Sequence, residues 1–308
     1  MSLTNFPNGV SSFGMPVLGQ GDLFTTGSVF FVSSVTGSND DNGETPVNAL
    51  ADINAAVAKC TANKKDIIIV MPGHVESLAA AENIDLDVAG ISVIGIGNGP
   101  DRPRIDYDAV DAVMTIGANG VTVRNITYRP SIALVVVGIT IDTTIVNTRL
   151  IDVEALDGEA GDGTDEFVDF IVLAVACDRT VIDGLKYRVH ASNNGAQTAI
   201  SIVGASDDIA IQNFDIDIVG SSVEAGIEGI TTLSTRLRIA NGIIVTDNEP
   251  GVTLVSNSTG VISNVYIFSD LASIDAATVA DKLAHFEVYY VELGNEAGAL
   301  VKTESIDD

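Results

Sequence analysis

The sequence predicts an all-β fold: a right-handed, single-stranded parallel β-helix solenoid with an N-terminal capping helix and an extended N-terminal arm. Three observations support this prediction. A short pattern returns about every 28 residues, apolar and polar residues alternate within it, and the two ends of the chain do not carry it. A solenoid stacks such units along one axis and needs different, capping segments at its ends.

The repeated pattern is an aliphatic residue, any residue, and then Asn, Asp or Gly, followed by further alternating apolar positions. Its third position falls at Gly95, Asn125, Asn147, Asp183, Asn213, Asn241 and Asn264. A second aliphatic strand and a small polar turn precede several copies, so each unit is predicted to be strand, turn, strand and variable loop. The aliphatic residues are predicted to stack as one inward-facing ladder. That ladder consists of Val93, Val123, Val181, Ile211, Ile239 and Ile262.

Two other all-β folds fit the pattern less well. A β-propeller has blades of roughly 40–50 residues with aromatic signatures, and a β-sandwich has strands at intervals of roughly 8–12 residues without a long-range period. The uneven spacing fits a solenoid, because a loop at one corner can lengthen without disturbing the stack. The longest insertion, residues 157–166, is predicted to be an exposed acidic loop.

The chain is predicted to have four parts. They are an extended N-terminal anchoring arm (1–27), an N-terminal strand and capping helix (28–72), the parallel β-helix coils (73–270), and a C-terminal cap helix, strand and tail (271–308). The arm has scattered apolar residues without any period, so we expect it to bury them against another surface.

Helical spacing appears only near the two ends. Residues 46–62 are predicted to form the capping helix, because apolar residues recur there at three- and four-residue steps along one face. These residues are Leu50, Ile53, Val57 and Cys60. A second short helix is predicted over Ala276–Phe286, and a last strand over Val288–Leu293.

The charge balance excludes several classes of partner. The chain has 42 Asp and Glu residues against 15 Lys and Arg residues, a formal net charge of −27. Both a sequence-independent grip on nucleic acid and docking on an anionic membrane need many cations, so neither partner is predicted. An acidic, lysine-poor surface suits high ionic strength, which favours a marine or saline source. Cys60 and Cys177 lie in apolar runs and are predicted to be buried thiols.

Three segments of the first third follow one another in a familiar order. They are SSVTGSNDDNGETPVNALADINAAVAKC (33–60), DIIIVMPGHVE (66–76) and IDLDVAGISVIGIGNGPDRPR (84–104). This order resembles the pectate-lyase-like right-handed β-helix proteins of tailed-bacteriophage virions, of the capsid decoration or tailspike type. The opening FPNGVSSFG (6–14) also resembles the start of phage particle proteins. The resemblance covers residues 1–130, and the rest of the chain only through the repeat.

The resemblance implies a non-enzymatic structural protein at the surface of a phage particle. Within the particle we expect a capsid decoration or cement protein on the head, with the major capsid protein or another virion protein as its partner. The resemblance also implies a homotrimer. The alternative is a tailspike that binds or cleaves a host-surface polysaccharide, and a bacterial β-helix adhesin is a third possibility.

Two sets of residues are candidates for protein interfaces. The first lies in the N-terminal arm and is predicted to anchor the chain to the particle. It consists of Phe6, Pro7, Phe13, Met15 and Leu18. The second is a candidate seam between subunits near the C-terminus, at Tyr289, Tyr290 and Val291.

Four pairs of carboxylates could in principle serve glycoside hydrolysis, which needs two carboxyl groups about 5–9.5 Å apart, one of them protonated. The pairs are Asp85 with Asp87, Asp106 with Asp108, Asp207 with Asp208, and Asp215 with Asp217. Solvated outward positions of any acidic β-protein would look the same, no coil shows Arg or Lys beside an Asp cluster, and the chain has no Trp for stacking on sugars. We therefore assign no catalytic residue.

No cofactor or metal ligand is assigned either. The three histidines, His74, His190 and His285, lack the paired spacing of a zinc site. His74 follows Pro72-Gly73 and is predicted to make a hydrogen bond in a turn or cap. The acidic loop 157–169 has carboxylates suited to Ca²⁺ but lacks the order of an EF-hand, so calcium binding there stays open.

Overall fold

The computed structural model describes residues 25–79, 83–157, 165–189, 196–218, 225–229, 234–246, 250–255, 258–269 and 283–289 in full, and the backbone alone of residues 11–12, 15–16, 278–279, 290–292 and 301–303. Strands dominate this part of the chain. One short α-helix, α1 (Ile53–Val57), and two 3₁₀ turns (Pro46–Asn48 and Gly99–Asp101) interrupt them. No helix among these residues is long and apolar enough to cross a membrane.

Strands β1 (Ser11–Ser12) and β2 (Met15–Pro16) form a small antiparallel pair near the start of the chain. Beyond residue 25, the strands form three parallel stacks. The first stack contains β3 (Val29–Val32), β4 (Ile67–Val70), β7 (Ser92–Gly95), β10 (Thr122–Arg124), β13 (Arg149–Ile151), β16 (Val181–Asp183) and β19 (Ala210–Gln212).

The second stack follows each strand of the first except β3. It contains β5 (Val75–Leu78), β8 (Arg104–Tyr107), β11 (Thr127–Pro130), β14 (Glu154–Asp157), β17 (Lys186–Val189) and β20 (Asp215–Asp217). Three long strands then run through both stacks. They are β22 (Leu237–Val245), β24 (Gly260–Ser269) and β26 (Leu283–Glu292).

The third stack closes each coil. It contains β6 (Asn83–Leu86), β9 (Val113–Ile116), β12 (Val135–Ile141), β15 (Phe167–Leu173), β18 (Thr198–Ile202), β21 (Ala225–Gly229), β23 (Val252–Thr253) and β25 (Thr278–Val279). The last strand, β27 (Val301–Thr303), pairs antiparallel with β26. This architecture is a right-handed parallel β-helix solenoid, as the repeat predicts.

The register of the first stack confirms the period. Hydrogen-bonded neighbours there lie 30, 27, 32, 29, 28 and 23 residues apart, along the series Ser92, Thr122, Arg149, Val181, Ala210, Arg238 and Val261. Each step is one coil, and the length differences fall in the loops. The fold thus tolerates uneven units without losing the pairing.

The prediction of the inward ladder is correct at five of its six positions and is one residue out of register at the sixth. The observed ladder runs Val93, Val123, Leu150, Ile182, Ile211, Ile239 and Ile262, all fully buried. Val181 is wrong, because it pairs with Arg149 on the outward side of its strand. Ile182 takes its place, since successive residues of a strand point to opposite faces.

The corner between the first and second stacks is a single residue with left-handed backbone. It is occupied by Asn125, Asp152, Gly184, Asn213, Asn241 and Asn264, whose φ angles lie between 51° and 80°. Asn, Asp and Gly adopt this conformation at the least cost. Three predicted markers are misplaced. Gly95 lies inside β7 and has no left-handed φ, Asn147 lies in an earlier turn of its coil, whose corner is Asp152, and Gly184 rather than Asp183 forms the next corner.

The predicted end segments differ from the structure in three ways. The helical segment is shorter than residues 46–62 and comprises α1 and a 3₁₀ turn, although Leu50, Ile53 and Val57 are buried as expected. The helix predicted over Ala276–Phe286 is wrong, because Leu283–Phe286 pair in parallel with Gly260–Ser263. The insertion 157–166 is not uniformly exposed, since Asp157 and Asp165 are buried; residues 158–164 lie outside the described part.

The interior contains an aromatic cluster that sequence analysis did not predict. Tyr107, Phe167, Phe170 and Tyr187 form a chain of ring contacts with centroids 5.1, 5.3 and 5.6 Å apart. Edge and tilted contacts of this kind add about 0.5–1.5 kcal/mol per pair beyond burial. Most of the few aromatic residues in the coils are therefore used for packing.

Candidate functional site

The residues predicted for protein interfaces are only partly described. Phe6, Pro7, Phe13 and Leu18 lie outside the described residues, and Met15 is described as backbone in β2. Tyr289, Tyr290 and Val291 lie in β26, whose backbone pairs with β24 on one side and β27 on the other. The ring of Tyr289 stacks on Tyr266, with centroids 4.9 Å apart and planes at 15°.

His74 and Glu76, from the PGH-x-E segment, form a cap rather than a metal or catalytic site. The backbone N–H of Ser34 donates to Nδ1 of His74 (2.9 Å), so Nε2 carries the proton and donates to Oε2 of Glu76 (3.1 Å). The same oxygen accepts the N–H of Ile53, the first residue of α1 (3.1 Å). The segment therefore joins the first coil to the capping helix, as predicted for His74.

Asp106 is held between two arginines on the second stack. Arg104 and Arg129 each bind its carboxylate through two nitrogens, at 2.8–3.1 Å. The three side chains come from adjacent strands, β8 and β11, and Asp106 is only 7% exposed. This corrects the prediction that no coil places Arg beside an Asp cluster. Asp108 is exposed and accepts a hydrogen bond from Ser77.

Asp215 is held in the same way further along the second stack. Arg188 binds both of its carboxylate oxygens, and this hydrogen-bonded ion pair lowers the pKa of Asp215 below its ordinary value. A general acid needs the opposite shift, since it must stay protonated near neutral pH. Asp215 is therefore not suited to be the general acid of its pair with Asp217.

The remaining two pairs of carboxylates, Asp207 with Asp208 and Asp85 with Asp87, lie in a turn and at an edge strand. Asp207 accepts hydrogen bonds from Thr235 and Arg236, while Asp208 has left-handed backbone (φ 61°) and is exposed. Asp85 and Asp87 are exposed on and next to β6. In the described part of the chain, no group of three or more His, Cys, Asp or Glu side chains could hold a metal ion.

A shallow groove runs along the corner over several coils and has a volume of about 610 Å³. The corner residues Asn213, Asn241 and Asn264 form one wall, and they are linked by amide hydrogen bonds of 3.4 and 3.0 Å. Outward residues of the second stack form the other wall, with Lys186 and Asp215 at one end and Ile243 and Tyr266 at the other. The groove thus changes from charged to apolar along the axis.

Asp157 is a buried acid that sequence analysis assigned to an exposed loop. It is 2% exposed, it accepts a hydrogen bond from Tyr187, and its other oxygen Oδ1 has no hydrogen-bond partner. Burial, reinforced by the charge of Glu166, raises its pKa well above the ordinary value. A buried carboxyl with this shift is neutral over a wider pH range than a surface aspartate.

The arginine partners are the part of this surface that sequence analysis missed. Arg102 binds Glu154 (3.2 Å) and backbone carbonyls of two coils, and burial lowers its pKa. The signal was present in the sequence, because Arg104 and Asp106 lie two residues apart, on one face of β8, and Arg129 pairs with Asp106 from the neighbouring strand. It could be interpreted only once the strand pairing was known.

No protein-family model and no curated protein matches the sequence. Among solved structures, the chain resembles the GH136 lacto-N-biosidase from Eubacterium ramulus, with a TM-score of 0.52 and 10% identity for the native protein. The alignment covers 86% of this chain and 55% of that enzyme, so the chain spans about half its length. A selenomethionine form of the same enzyme gives a TM-score of 0.50 at 11% identity.

A rhamnogalacturonan lyase aligns over 91% of this chain and 90% of its own, with a TM-score of 0.41 and 11% identity. At these identities the similarity concerns the fold. The strand pairing and the similarity to the lacto-N-biosidase together identify the chain as a parallel β-helix protein.

Proposed function

We propose that the chain is a non-enzymatic structural protein of a phage particle, acting as a capsid decoration or cement protein on the head surface. The observation that carries this proposal is that arginine side chains bind two of the candidate catalytic carboxylates. Asp106 is bound by Arg104 and Arg129, and Asp215 is bound by Arg188, so both carboxylates are engaged in ion pairs on the second stack. A rigid, inert body suits a shell protein.

The outward face of the third stack supports the same role. The centre of its ladder runs Thr115, Thr140, Val172 and Ser201, which are small polar or aliphatic side chains, between Asp85 at one end and Glu228 at the other. These four central positions carry neither a carboxylate nor an aromatic ring. The resemblance of residues 1–130 to virion β-helix proteins supplies the location, with the N-terminal arm as the anchor and a capsid protein as the partner.

The test is attachment to particles that lack the protein. Thr25 donates to the carbonyl of Lys65, so the arm deletion should stop at residue 24 to leave the first coil intact. We expect the variant lacking residues 2–24 to keep the wild-type melting temperature and to lose particle binding. Equal binding by both proteins would place the anchor elsewhere, and binding by neither would reject the decoration role.

A second candidate function is attachment to a host-surface polysaccharide, as in a tailspike. The groove favours it, because Lys186, Asp215 and Tyr266 combine charged groups with an aromatic side chain along one channel. Incubation with capsular polysaccharide and lipopolysaccharide should release no new reducing or unsaturated ends if the first proposal holds. Release that Asp215→Asn abolishes, and that Asp85→Asn leaves unchanged, would favour the polysaccharide function.

A further inference from the structure

The dipeptide Asn-Gly occurs six times in the sequence, and four of the copies are described in full. They are Asn42-Gly43, Asn98-Gly99, Asn119-Gly120 and Asn241-Gly242; the copies at residues 8–9 and 194–195 lie outside the described residues. In this dipeptide the backbone nitrogen of the glycine can attack the side-chain carbonyl carbon of the asparagine, because glycine has no side chain to block the approach.

Hydrogen bonds hold the reacting groups of the first and third of these copies. The N–H of Gly43 donates to the carbonyl of Asn48 (2.9 Å). The N–H of Gly120 donates to the carbonyl of Val146 (2.9 Å), and Oδ1 of Asn119 accepts the N–H of the same residue (2.8 Å). These bonds must break before the glycine nitrogen can meet the side chain.

The copy at Asn241 lies inside β22 and is held on both sides. Its side-chain amide accepts a hydrogen bond from Asn264 (3.0 Å) and donates one to Asn213 (3.4 Å). A Cβ placed on Gly242 would lie 2.0 Å from the ring of Phe214, so the backbone has no room to move there.

The copy at Asn98 has none of these restraints. Asn98 is exposed, its side chain makes no capping hydrogen bond, and the N–H of Gly99 has no hydrogen-bond partner among the described residues. Gly99 has a φ of 55°, and a Cβ placed on it would meet nothing within 4 Å. The carbonyl of Asn98 accepts the N–H of Asp101 (3.2 Å), but this bond lies at the surface, where water can replace it.

The charges around Asn98 also favour the reaction. The attacking species is the deprotonated nitrogen, and a nearby cation stabilises its negative charge. Gly99 lines a cavity of about 390 Å³ together with Arg102, Arg104 and Glu154. The charged residues that line this cavity are thus two cations and one anion, in a chain whose net charge is −27.

We propose that Asn98 is a site of spontaneous deamidation and the first of the four described copies to be modified as the protein ages. The nitrogen of Gly99 forms a bond to Cγ of Asn98, the Cγ–Nδ2 bond breaks, and Nδ2 leaves as ammonia with the proton that the Gly99 nitrogen has lost. Water then opens the cyclic imide at either carbonyl, which gives aspartate or isoaspartate. The inference does not depend on the proposed virion role.

The products alter a turn that carries Arg102. Both add a negative charge, and isoaspartate also adds a methylene group to the main chain at the start of the turn. The N–H of Arg102 donates to the carbonyl of Gly99 (3.1 Å), and its guanidinium binds Glu154 (3.2 Å). We therefore expect faster hydrogen exchange at the N–H of Arg102 in the modified protein.

The test incubates the full-length protein at mildly alkaline pH and follows each asparagine by tandem mass spectrometry of proteolytic peptides. Because two hydrogen bonds hold the copy at Asn119, we expect Asn98 to react roughly tenfold to a hundredfold faster. In Asn98→Ser the early, more acidic form of the protein should be absent, whereas Asn42→Ser should still produce it. An Asn98 that stays unmodified, or that reacts no faster than the other three, would overturn the inference.

The same incubation in urea separates the effect of the fold from that of local sequence. In the unfolded chain the restraining hydrogen bonds are gone, so the four asparagines should react at similar rates. A preference for Asn98 that persists in urea would show that the fold does not select this site, and it would also overturn the inference.

Discussion

The two ends of the solenoid solve the problem of the open strand edge in different ways. At the N-terminal end, side chains imitate a neighbouring strand: Nδ2 of Asn54 donates to the carbonyl of Asn83 (2.7 Å), and Oδ1 of Asn54 accepts the N–H of Asp85 (3.0 Å). Helix α1 thus pairs with β6 through one amide. An edge satisfied in this way cannot recruit a foreign strand.

At the C-terminal end, the backbone of an additional strand satisfies the open edge. β27 pairs antiparallel with β26 and so interrupts the parallel stacking. The inward ladder ends there on His285, which lies next to Ile262 and whose Nδ1 is buried without a hydrogen-bond partner. Among the described residues, the polar side chains named at the N-terminal end are matched, whereas the C-terminal end keeps an unmatched nitrogen at His285. We expect variants at the two ends to differ in their effect on the free energy of unfolding and on its pH dependence.

The largest loss of stability is expected in the middle of the inward ladder, because the caps at the two ends cannot offset a change there. Ile211→Asp would bury an unpaired carboxylate and should destabilise the fold by about 4 kcal/mol or more, with cooperative loss of both ends. Ala210→Asp is the control, because Ala210 faces outward beside Arg238. A melting temperature of Ile211→Asp equal to that of the wild type would show that the assigned register is wrong.

The next largest effect is expected at the N-terminal cap. His74→Ala would leave the N–H of Ser34 without its acceptor and Glu76 without its donor, at a cost of about 2–3 kcal/mol in the free energy of unfolding. Val75→Ala serves as a matched change, since Val75 is exposed between them. Chemical denaturation of the two variants measures the difference, and equal midpoints would mean that the cap contributes nothing.

Asp157 should make the middle coils sensitive to alkaline pH. Because its pKa in the folded state is raised by burial, the stability it contributes is complete below its ordinary pKa and is lost as pH rises through the raised value. Asp157→Asn keeps an acceptor for Tyr187 and cannot ionise. The variant should melt several degrees above the wild type at pH 9 and close to it at pH 5, and the reverse order would contradict a protonated Asp157.

His285 should make the C-terminal end sensitive to acid. Burial lowers its pKa, so its contribution to stability is complete above the ordinary value of about 6.5 and is lost as pH falls below it. His285→Leu should therefore gain stability relative to the wild type as pH falls from 8 to 5. Thermal melts at both pH values test this, and a constant difference would show that His285 does not titrate in that range.

The smallest effect is expected for the amide that imitates a strand. Asn54→Ala removes two hydrogen bonds at an exposed edge, where water can replace them, so the loss should be about 1 kcal/mol. Hydrogen exchange at Asp85 is the more sensitive measurement, because its N–H loses its acceptor. Unchanged exchange at Asp85 would mean that the edge is satisfied in another way.

The repeat and most of the inward ladder could be predicted from sequence because burial forces aliphatic residues into alternate positions. The errors have a common cause. Asn, Asp and Gly all tolerate a left-handed backbone, and more than one turn of each coil uses it, so Asn147 in one turn looked like the corner that Asp152 forms. Only the strand pairing distinguishes the two turns.

The candidate surface could be predicted less well than the fold. The change from Asp215 and Asp217 to Ile243 and Val245 is visible in the sequence, but it defines a surface only when the coils are superimposed. The C-terminal segment was predicted to be helical because its apolar spacing suits either element. Pairing with β24, rather than local propensity, makes residues 283–292 a strand.

The direction of the backbone hydrogen bonds has a mechanical consequence. In all three stacks these bonds join one coil to the next and so run nearly parallel to the long axis, about 4.8 Å apart from strand to strand. Tension along the axis would load the bonds between every pair of adjacent coils equally, and the molecule would separate where that pairing is weakest. Compression along the axis would instead be borne by closely packed side chains in every coil at once, so the molecule should resist pushing far better than pulling.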